Sequence, residues 1–442
     1  MYAKHLSEEP SQAEKAEEGQ VENNAGGFVF KLDNWARLER FLILGSSAPT
    51  YYCSEKKLTV DNALSLQKCL KENPEKTVDI ITTVSTQGRA VKNDAAIFAL
   101  ALACADEKAK KYGFEAIPKV CRTGTHLFQF VEEVKALRGW GTGLKKAIGK
   151  WYTNRSVDSL AYQLIKYQQR KGMSHRDVFR LTHVAFPEKY QPLIRQVVTK
   201  DLNERIVKRS TQDEPIVYPS VGELPLIVQG WLKLQVEKDP VKAALYILDY
   251  KLPWEAVPTP MLNCPEIWEA LLEDMLPEAM LRNINKMTAI GLLSPFSAAE
   301  KKVKETFNNV ELLKKVKLHP IKVLVGMRQY NKGRGDKGSL AWAPLQSIVE
   351  TLDDIFYKCF QNITPSNERY LLNLDVSGSM TLGTCAGMPI TPREASAAMA
   401  MVTARTEANY HINGFSHELI PLKIHHKMAI NDGLDQIATI DM

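Results

Sequence analysis

The sequence predicts a mainly α chain, in which short helices, stacked as HEAT-like pairs or gathered in a globular bundle, precede a smaller α/β unit. Three observations point there. From about Phe28 to residue 360, helical apolar periodicity recurs in roughly sixteen short segments with almost no strand-like alternation. Pairs of these segments return about every 40 residues, the spacing of stacked helix pairs. At Arg369 the texture changes to strand, loop, helix, strand, which is α/β grammar.

Residues 1–26 are rich in Glu, Gln, Ala and Ser and predict an acidic, disordered tail. A helical-repeat domain is expected over 27–364. Asp33 is placed to cap a helix that puts Leu38, Phe41 and Leu42 on one face. A second helix runs from about Asp61 through Leu70, with Pro74 beyond its end. The stretch Ala95 to Ala109 is apolar nearly all round and reads as a buried helix. Further helices are expected near 114–121, 124–137, 142–152, 157–171, 175–182, 190–208, 222–236 and 239–248. More follow near 265–274, 277–289, 298–305, 308–315, 319–330 and 345–361, with Gly, Pro, Asn or Asp between most of them.

Residues 365–442 form the α/β unit. Arg369 to Leu374 reads as a short buried strand. Thr391-Pro392-Arg393-Glu394 opens a helix with a capping box and proline at the first helical position. Strands follow near 410–415 and 419–424 as a hairpin, and a last helix starts near Asp432.

Composition narrows the function. A chain of 442 residues, 45% apolar and 24% charged, builds a core without disulfide or metal staples. Its longest apolar run, Ala95 to Ala105, is far short of the ~20 residues a bilayer span needs. The polar N-terminus does not read as a signal peptide. Seven scattered cysteines contain no CxxC pair, which argues against a disulfide framework and a structural zinc site. A reducing, cytoplasmic compartment is expected, with the nucleus left open, and no membrane partner.

Charge is the sharper clue. The net +6 conceals a basic segment, residues 116–184, with thirteen Lys and Arg against four Asp and Glu. Lys146 and Lys150 lie four apart, beside Trp151 and Tyr152. Lys166 and Arg170 repeat the spacing next to Tyr167, and Arg176 and Arg180 repeat it between His175 and His183. A solvated helix face explains any one pair. Three in succession with planar groups alongside suit phosphates and unstacked bases. RNA is favoured over DNA because no DNA-reading motif is present. Arg122 and His126 fall at a helix–helix junction and join the RNA-binding candidates. The competing reading is a helical scaffold that docks acidic protein partners on the same surface.

No catalytic arrangement is found. HExxH, GxSxG and nucleotide fingerprints are missing, and Lys332 to Gly338 has glycines without phosphate-loop spacing. The expected role is binding, not enzymatic. After the 369–374 strand comes Asp375-Val376-Ser377-Gly378-Ser379. One carboxylate and two hydroxyls at alternate positions can converge on a hard cation, Mg²⁺ or Mn²⁺, at the carboxyl edge of the sheet.

These features together resemble the TROVE family of Ro ribonucleoproteins. The resemblance rests on Leu38-Glu39-Arg40-Phe41-Leu42, Thr50-Tyr51-Tyr52, Val120-Cys121-Arg122, Thr125-His126-Leu127-Phe128 and Lys145-Lys146-Ala147-Ile148 with Trp151-Tyr152. It continues through Lys166-Tyr167, Gln169-Arg170, Ser174-His175, Leu281-Arg282-Asn283, Lys286-Met287-Thr288-Ala289 and His319-Pro320. It implies a HEAT-like helical-repeat ring followed by a partial α/β von Willebrand factor A domain. It further implies binding of small noncoding Y RNAs on the outer basic surface. Capture of the single-stranded 3′ ends of misfolded noncoding RNAs through the ring, as quality control, is implied as well. The family's Y-RNA contacts match Lys166, Arg170 and His183. A monomer is expected, with protein partners possible through the A domain. The family's metal site needs a threonine and an aspartate from two later loops. Here Gln436-Ile437 still match, but Ala438 to Met442 lack the Gly-Gly-Thr-Asp that follows in the family. The resemblance therefore implies a C-terminally truncated chain whose site at Asp375, Ser377 and Ser379 is incomplete.

Overall fold

The computed structural model describes residues 14–15, 18–22, 28–30, 32–45, 55–170, 172–197, 224–335, 338–360, 365–385 and 390–438. Inside the tail expected to be disordered, β1 (Gln20–Glu22) pairs antiparallel with β2 (Phe28–Phe30). Helices then follow one another: α1 (Asn34–Leu44), α2 (Glu55–Glu72), α3 (Pro74–Gln87), α4 (Asp94–Ala105), α5 (Lys110–Val120) and α6 (Gly124–Leu137). The Asp33 carboxylate accepts from the Ala36 amide at 2.7 Å and caps α1 as expected. Pro74 lies beyond the end of α2, as expected, and also opens α3, a helix that was not among those expected. Asn73 caps it, and a missing N–H costs nothing at the first helical position. The apolar stretch from Ala95 is α4, buried at eight of its twelve positions. It stops at Ala105 because the Asp106 carboxylate accepts from the Lys108 and Ala109 amides and turns the chain into α5.

The basic segment carries α6, α7 (Thr142–Thr153), α8 (Val157–Lys166) and α9 (His175–Thr182). The helix expected over 157–171 is shorter. After Lys166 the chain leaves the helix and forms a tight hairpin, β3 (Gln169–Arg170) with β4 (Met173–Ser174). Gly172 supplies the left-handed turn, φ +79°. The helix α10 (Gln191–Val197) follows, and the rest of the expected 190–208 helix lies outside the described residues.

The array continues with α11 (Leu226–Val236), α12 (Pro240–Tyr250), α13 (Pro265–Glu273), α14 (Pro277–Ala289), α15 (Ala298–Asn308), α16 (Val310–Val316), α17 (Pro320–Asn331) and α18 (Gln346–Lys358). Neighbours pack in succession, with α4 on α5 and α6, α11 on α12, α12 on α13 and α17 on α18. Trp151, Tyr152, Trp268, Phe128, Phe307 and Tyr330 are fully buried along one continuous core. The two ends of the array meet. Lys317 donates to the Thr86 carbonyl and lies over Gly88, while the His319 ring is hydrogen-bonded to the Arg89 main chain. These contacts close the helices into a ring.

The second unit is a three-stranded sheet of order β5–β6–β7. Strand β5 (Arg369–Asp375) runs parallel to β6 (Asn409–Phe415), from Arg369 opposite Asn409 to Asp375 opposite Phe415. The crossover is α19 (Pro392–Thr406), with the expected capping box between Thr391 and Glu394. The hairpin partner β7 (Leu419–Pro421) is antiparallel to β6, and α20 (Ile430–Ala438) packs on α19. The ring grips this unit through α17 and α18. Arg328 pairs with Glu394, the Arg405 guanidinium stacks 3.3 Å from the Tyr357 ring centroid, and Asp353 accepts from the Ile430 amide at 2.9 Å. Asp353 thus caps a helix of the other unit.

Candidate nucleic-acid interface

On α7, Leu144, Ala147, Ile148, Trp151 and Tyr152 face the core, which leaves Lys146 and Lys150 exposed one turn apart. Helix α9 packs on α7 and on α6. Its Ser174–Asp177 capping box fixes the start, His175, Val178 and Thr182 point inward, and Arg176 and Arg180 are exposed. The exposed His183 ends α9 in the left-handed conformation, φ 52°. Two of the three expected basic ridges are therefore real helix faces on adjacent helices.

The third is not a ridge. Lys166 closes α8, but Arg170 sits in β3, past the helix end. The guanidinium nevertheless folds back to Lys166, with Nη2 donating to the Lys166 carbonyl at 3.1 Å and Nη1 to the Gln169 carbonyl at 2.7 Å. Lys166 is half-buried, and its Nζ donates to Tyr162 Oη at 3.0 Å. Burial works against the Lys166 ammonium. The Tyr162 hydrogen bond and the negative charge of Glu255 outweigh burial and raise its pKa above the ordinary lysine value.

Across the interface, carboxylates are scarce. Arg180 stands 4.0 Å from Asp177, an exposed pair of little energetic weight. Among the described residues, no carboxylate forms an ion pair with Lys146, Lys150, Lys166, Arg170 or Arg176.

Beneath these cations lies a neutral aromatic core. Tyr152 Oη and His175 Nδ1 are 3.0 Å apart, and His175, 3% exposed, packs edge-on against Phe128 at 4.7 Å. Burial pushes the His175 pKa down to about 3, so the ring is neutral. His175 is thus a core residue, not a surface partner for bases. Gly124 makes room for it: a Cβ there would come within 2.7 Å of Tyr167 Cβ and 3.0 Å of His175 Nε2. The Gly124 amide donates to Gln163 Oε1 at 3.0 Å, tying α6 to α8.

Arg122 and His126 occupy a different place, the seam where the ring closes. Arg122 Nη1 donates to Ser85 Oγ at 2.9 Å, and Ser85 Oγ donates to Asn93 Oδ1 at 2.7 Å. His126 is mostly buried in the first turn of α6, near the charges of Lys322 and Glu278. Burial, reinforced by Arg122, lowers its pKa to about 4. The nine candidates thus fall into an outer stripe (Lys146, Lys150, Arg176, Arg180, His183), a half-buried pair (Lys166, Arg170) and a seam pair (Arg122, His126). Tyr162 and Glu255 were not among the candidates. Tyr162 lies one helical turn before Lys166 and could have been found by that spacing. Glu255 arrives from a distant turn and has no local signal.

In the second unit, Asp375 ends β5. Its Oδ1 accepts from the Ser377 amide at 2.9 Å, and Ser377 Oγ lies 3.0 Å from Ser379 Oγ. Arg393 of α19, 7% exposed, donates to the Val376 carbonyl and to the Ser377 carbonyl at 3.2 Å, which holds the loop in place. The two hydroxyls thus meet in the loop that the Asp375 carboxylate holds through the Ser377 amide. Among the described residues no cluster of three or more His, Cys, Asp or Glu is placed to hold a metal.

Comparison with known proteins meets this geometry. The TROVE domain profile matches residues 21–215 and 248–328, and the Ro60 vWA domain profile matches residues 369–442. The chain belongs to the TROVE-domain Ro60 family. An RNA-binding protein RO60 of Caenorhabditis elegans is 34% identical over 505 residues, covering 99% of this chain and 77% of that protein. The RNA-binding protein RO60 of Deinococcus radiodurans is 34% identical over 421 residues, covering 93% of this chain and 76% of that one. The crystal structure of the Deinococcus radiodurans RO (RSR) protein superposes with a TM-score of 0.68 at 28% identity, covering 92% of this chain and 80% of that chain. The ring is thus the TROVE unit and the sheet the vWA unit of this family. The candidate residues from Arg122 to His183 all fall inside the TROVE match.

Proposed function

We propose that this chain is an RNA-binding protein that holds small noncoding Y RNAs on the α7–α9 face. In the same reading it captures the 3′ ends of misfolded noncoding RNAs for quality control, as a ribonucleoprotein. One observation carries it: α7 and α9 pack on each other and expose Lys146, Lys150, Arg176 and Arg180, with Asp177 the one acid within ion-pair distance among the described residues. Relatives named as RNA-binding proteins support the choice of RNA as the polyanion. The chain works as a binding protein, not an enzyme, in the cytoplasm. At its second unit, Asp375, Ser377 and Ser379 would hold a divalent cation with three of the six or more oxygens that Mg²⁺ or Mn²⁺ takes. The test is affinity for a small structured RNA against salt. Replacing Lys166 and Arg170 together by Met should flatten the log–log slope by up to about two units if both release counterions. An unchanged slope removes them from the interface. A clear preference for an acidic polypeptide over RNA refutes the reading as a whole.

A further inference from the structure

The α11–α12 pair keeps apolar side chains in water. Leu226, Val236, Val241 and Leu245 are each more than half exposed on these two short helices. On α12 the exposure has an order. Ala243 and Ile247 are buried, where α12 packs on α11 and α13. Leu245 points the opposite way, with Val241 one turn before it and the half-buried Leu248 almost one turn after. The three form an apolar stripe along the outer side of α12, and such a stripe in water marks an interaction surface. Val241, Lys242 and Leu245 fall between the two stretches that match the TROVE profile, 21–215 and 248–328, so the family profile does not account for this face.

The charges beside the stripe say what covers it. Lys242 and Asp249 are exposed, and neither forms an ion pair among the described residues, whereas nearby Lys251 takes Asp274 at 2.6 Å. At about 3.6 residues per turn, Lys242 and Asp249 fall together on one flank of Leu245, while Val241 and Leu248 fall on the other. One cation and one anion thus share a flank, at opposite ends of the stripe. That order is self-complementary. When two copies of α12 meet antiparallel about a two-fold axis through Leu245, each flank meets the same flank of the other copy. Lys242 of one copy then comes beside Asp249 of the other, at both ends, offset by one residue's rise of about 1.5 Å. Val241 meets Leu248 in the same way, and the two Leu245 side chains meet on the axis.

We propose that two copies of this chain pair through α12, antiparallel and symmetric. The pair goes beyond the monomer that the resemblance implies. A partner of different sequence would not call for this match of cation to anion within one helix. None of the residues involved is among those proposed to meet RNA, so the pairing and the RNA reading stand or fall separately. One helix from each copy makes a small contact, which belongs to the weak, reversible class and forms at micromolar concentrations.

The experiment is sedimentation velocity of the full chain, freed of RNA by nuclease, from about 1 to 100 µM. The mass should rise from that of one chain toward that of two as concentration increases. Leu245→Lys changes an exposed position, leaves the core untouched, and should hold the mass at one chain throughout. Lys242→Glu alone should weaken the pairing about tenfold, because two exposed ion pairs become two repulsions. Asp249→Lys alone should do the same. Mixed together, these two variants should pair as the unaltered chain does, since each supplies the charge that the other lacks. A one-chain mass for the unaltered chain at every concentration overturns the proposal and leaves the stripe to a different partner. Pairing that survives Leu245→Lys overturns it as well, and so does a mixture that pairs no better than its two components. The mixture keeps every apolar side chain of the stripe, so a poorly folded Leu245→Lys chain would not remove the test.

Discussion

Acidification should weaken this protein through His175, and the size of the loss follows from its burial. The ordinary histidine pKa is 6.5, whereas in the fold it is pushed down to about 3. Above pH 6.5 neither folded nor unfolded chain holds the proton, and the group contributes nothing. Between 6.5 and 3 the unfolded chain binds a proton that the folded chain refuses. Stability therefore falls as pH falls, by about 1.4 kcal/mol per unit. From pH 7.5 to pH 5.0 the expected loss from His175 alone is about 2 kcal/mol. His126 and His319, each lowered to about 4, act in the same direction.

The assay is urea unfolding followed by tryptophan fluorescence at the two pH values, on the unaltered chain and on His175→Phe. Phenylalanine fills the site next to Phe128 but strands Tyr152 Oη, whose partner among the described residues is His175. The variant should lose about 1–3 kcal/mol at pH 7.5 for that unmet group. Its further loss on going to pH 5.0 should be smaller than that of the unaltered chain by about 2 kcal/mol. His126 and His319 are present in both proteins and cancel in the difference. An equal pH loss in the two chains would refute the claim that His175 is held neutral by its surroundings.

Three further outcomes are expected. Gly124→Ala should destabilise the ring by about 1–3 kcal/mol, read from thermal melting, because the new methyl group meets Tyr167 and His175 at close range. A normal melt would show that the α6–α8 junction yields easily. Arg328→Met removes the ion-pair partner of Glu394, whose side chain is 23% exposed, and leaves only its capping-box bonds to Thr391 among the described residues. It should speed hydrogen exchange in α19 while leaving α7–α9 unchanged. Titration calorimetry with Mg²⁺ should show weak binding, since Asp375, Ser377 and Ser379 supply one charge and three oxygens. A tight single site would mean that further ligands complete it.

What could be read from the sequence was what depends on neighbours along the chain. The faces of α7 and α9 were legible because Lys146 and Lys150, like Arg176 and Arg180, alternate with apolar residues at helical spacing. The capping box at Thr391–Glu394 was legible for the same reason. One local signal was read only in part, and another pointed the wrong way. Pro74 follows the end of α2, as read, but with Asn73 as cap it also opens α3, which was not read. Lys166 and Arg170 have helical spacing, but Gly172 bends the chain into a hairpin before a further turn can form. The remaining features join distant segments. Ring closure brings Lys317 to Thr86, and Glu255 approaches Lys166 from beyond α12. No periodicity in one segment records such a meeting.

The arrangement around α9 also explains why the core under a cationic face has to be rigid and neutral. Lys146, Lys150, Arg176 and Arg180 repel one another when no polyanion is bound, and among the described residues only Arg180 of the four has an acid, Asp177, within ion-pair distance. That repulsion works to separate α7 from α9. Opposing it is an unbroken run of aromatic contacts: Tyr152 lies 4.8 Å from Phe179, Phe179 4.9 Å from Phe186, and Phe186 6.1 Å from Tyr190. A protonated His175 inside this run would add a like charge where no solvent screens it, next to the Arg155 guanidinium that already disfavours it. Neutral His175 and the cations above it are therefore one design. The buried ring keeps the helices together, and in the proposed reading RNA bound on this face adds stability by neutralising the charges. The melting temperature of the chain should consequently rise on RNA binding and fall when salt strips the RNA away. Raising salt on the RNA-free chain, which screens the same repulsion, should do the opposite and stabilise it.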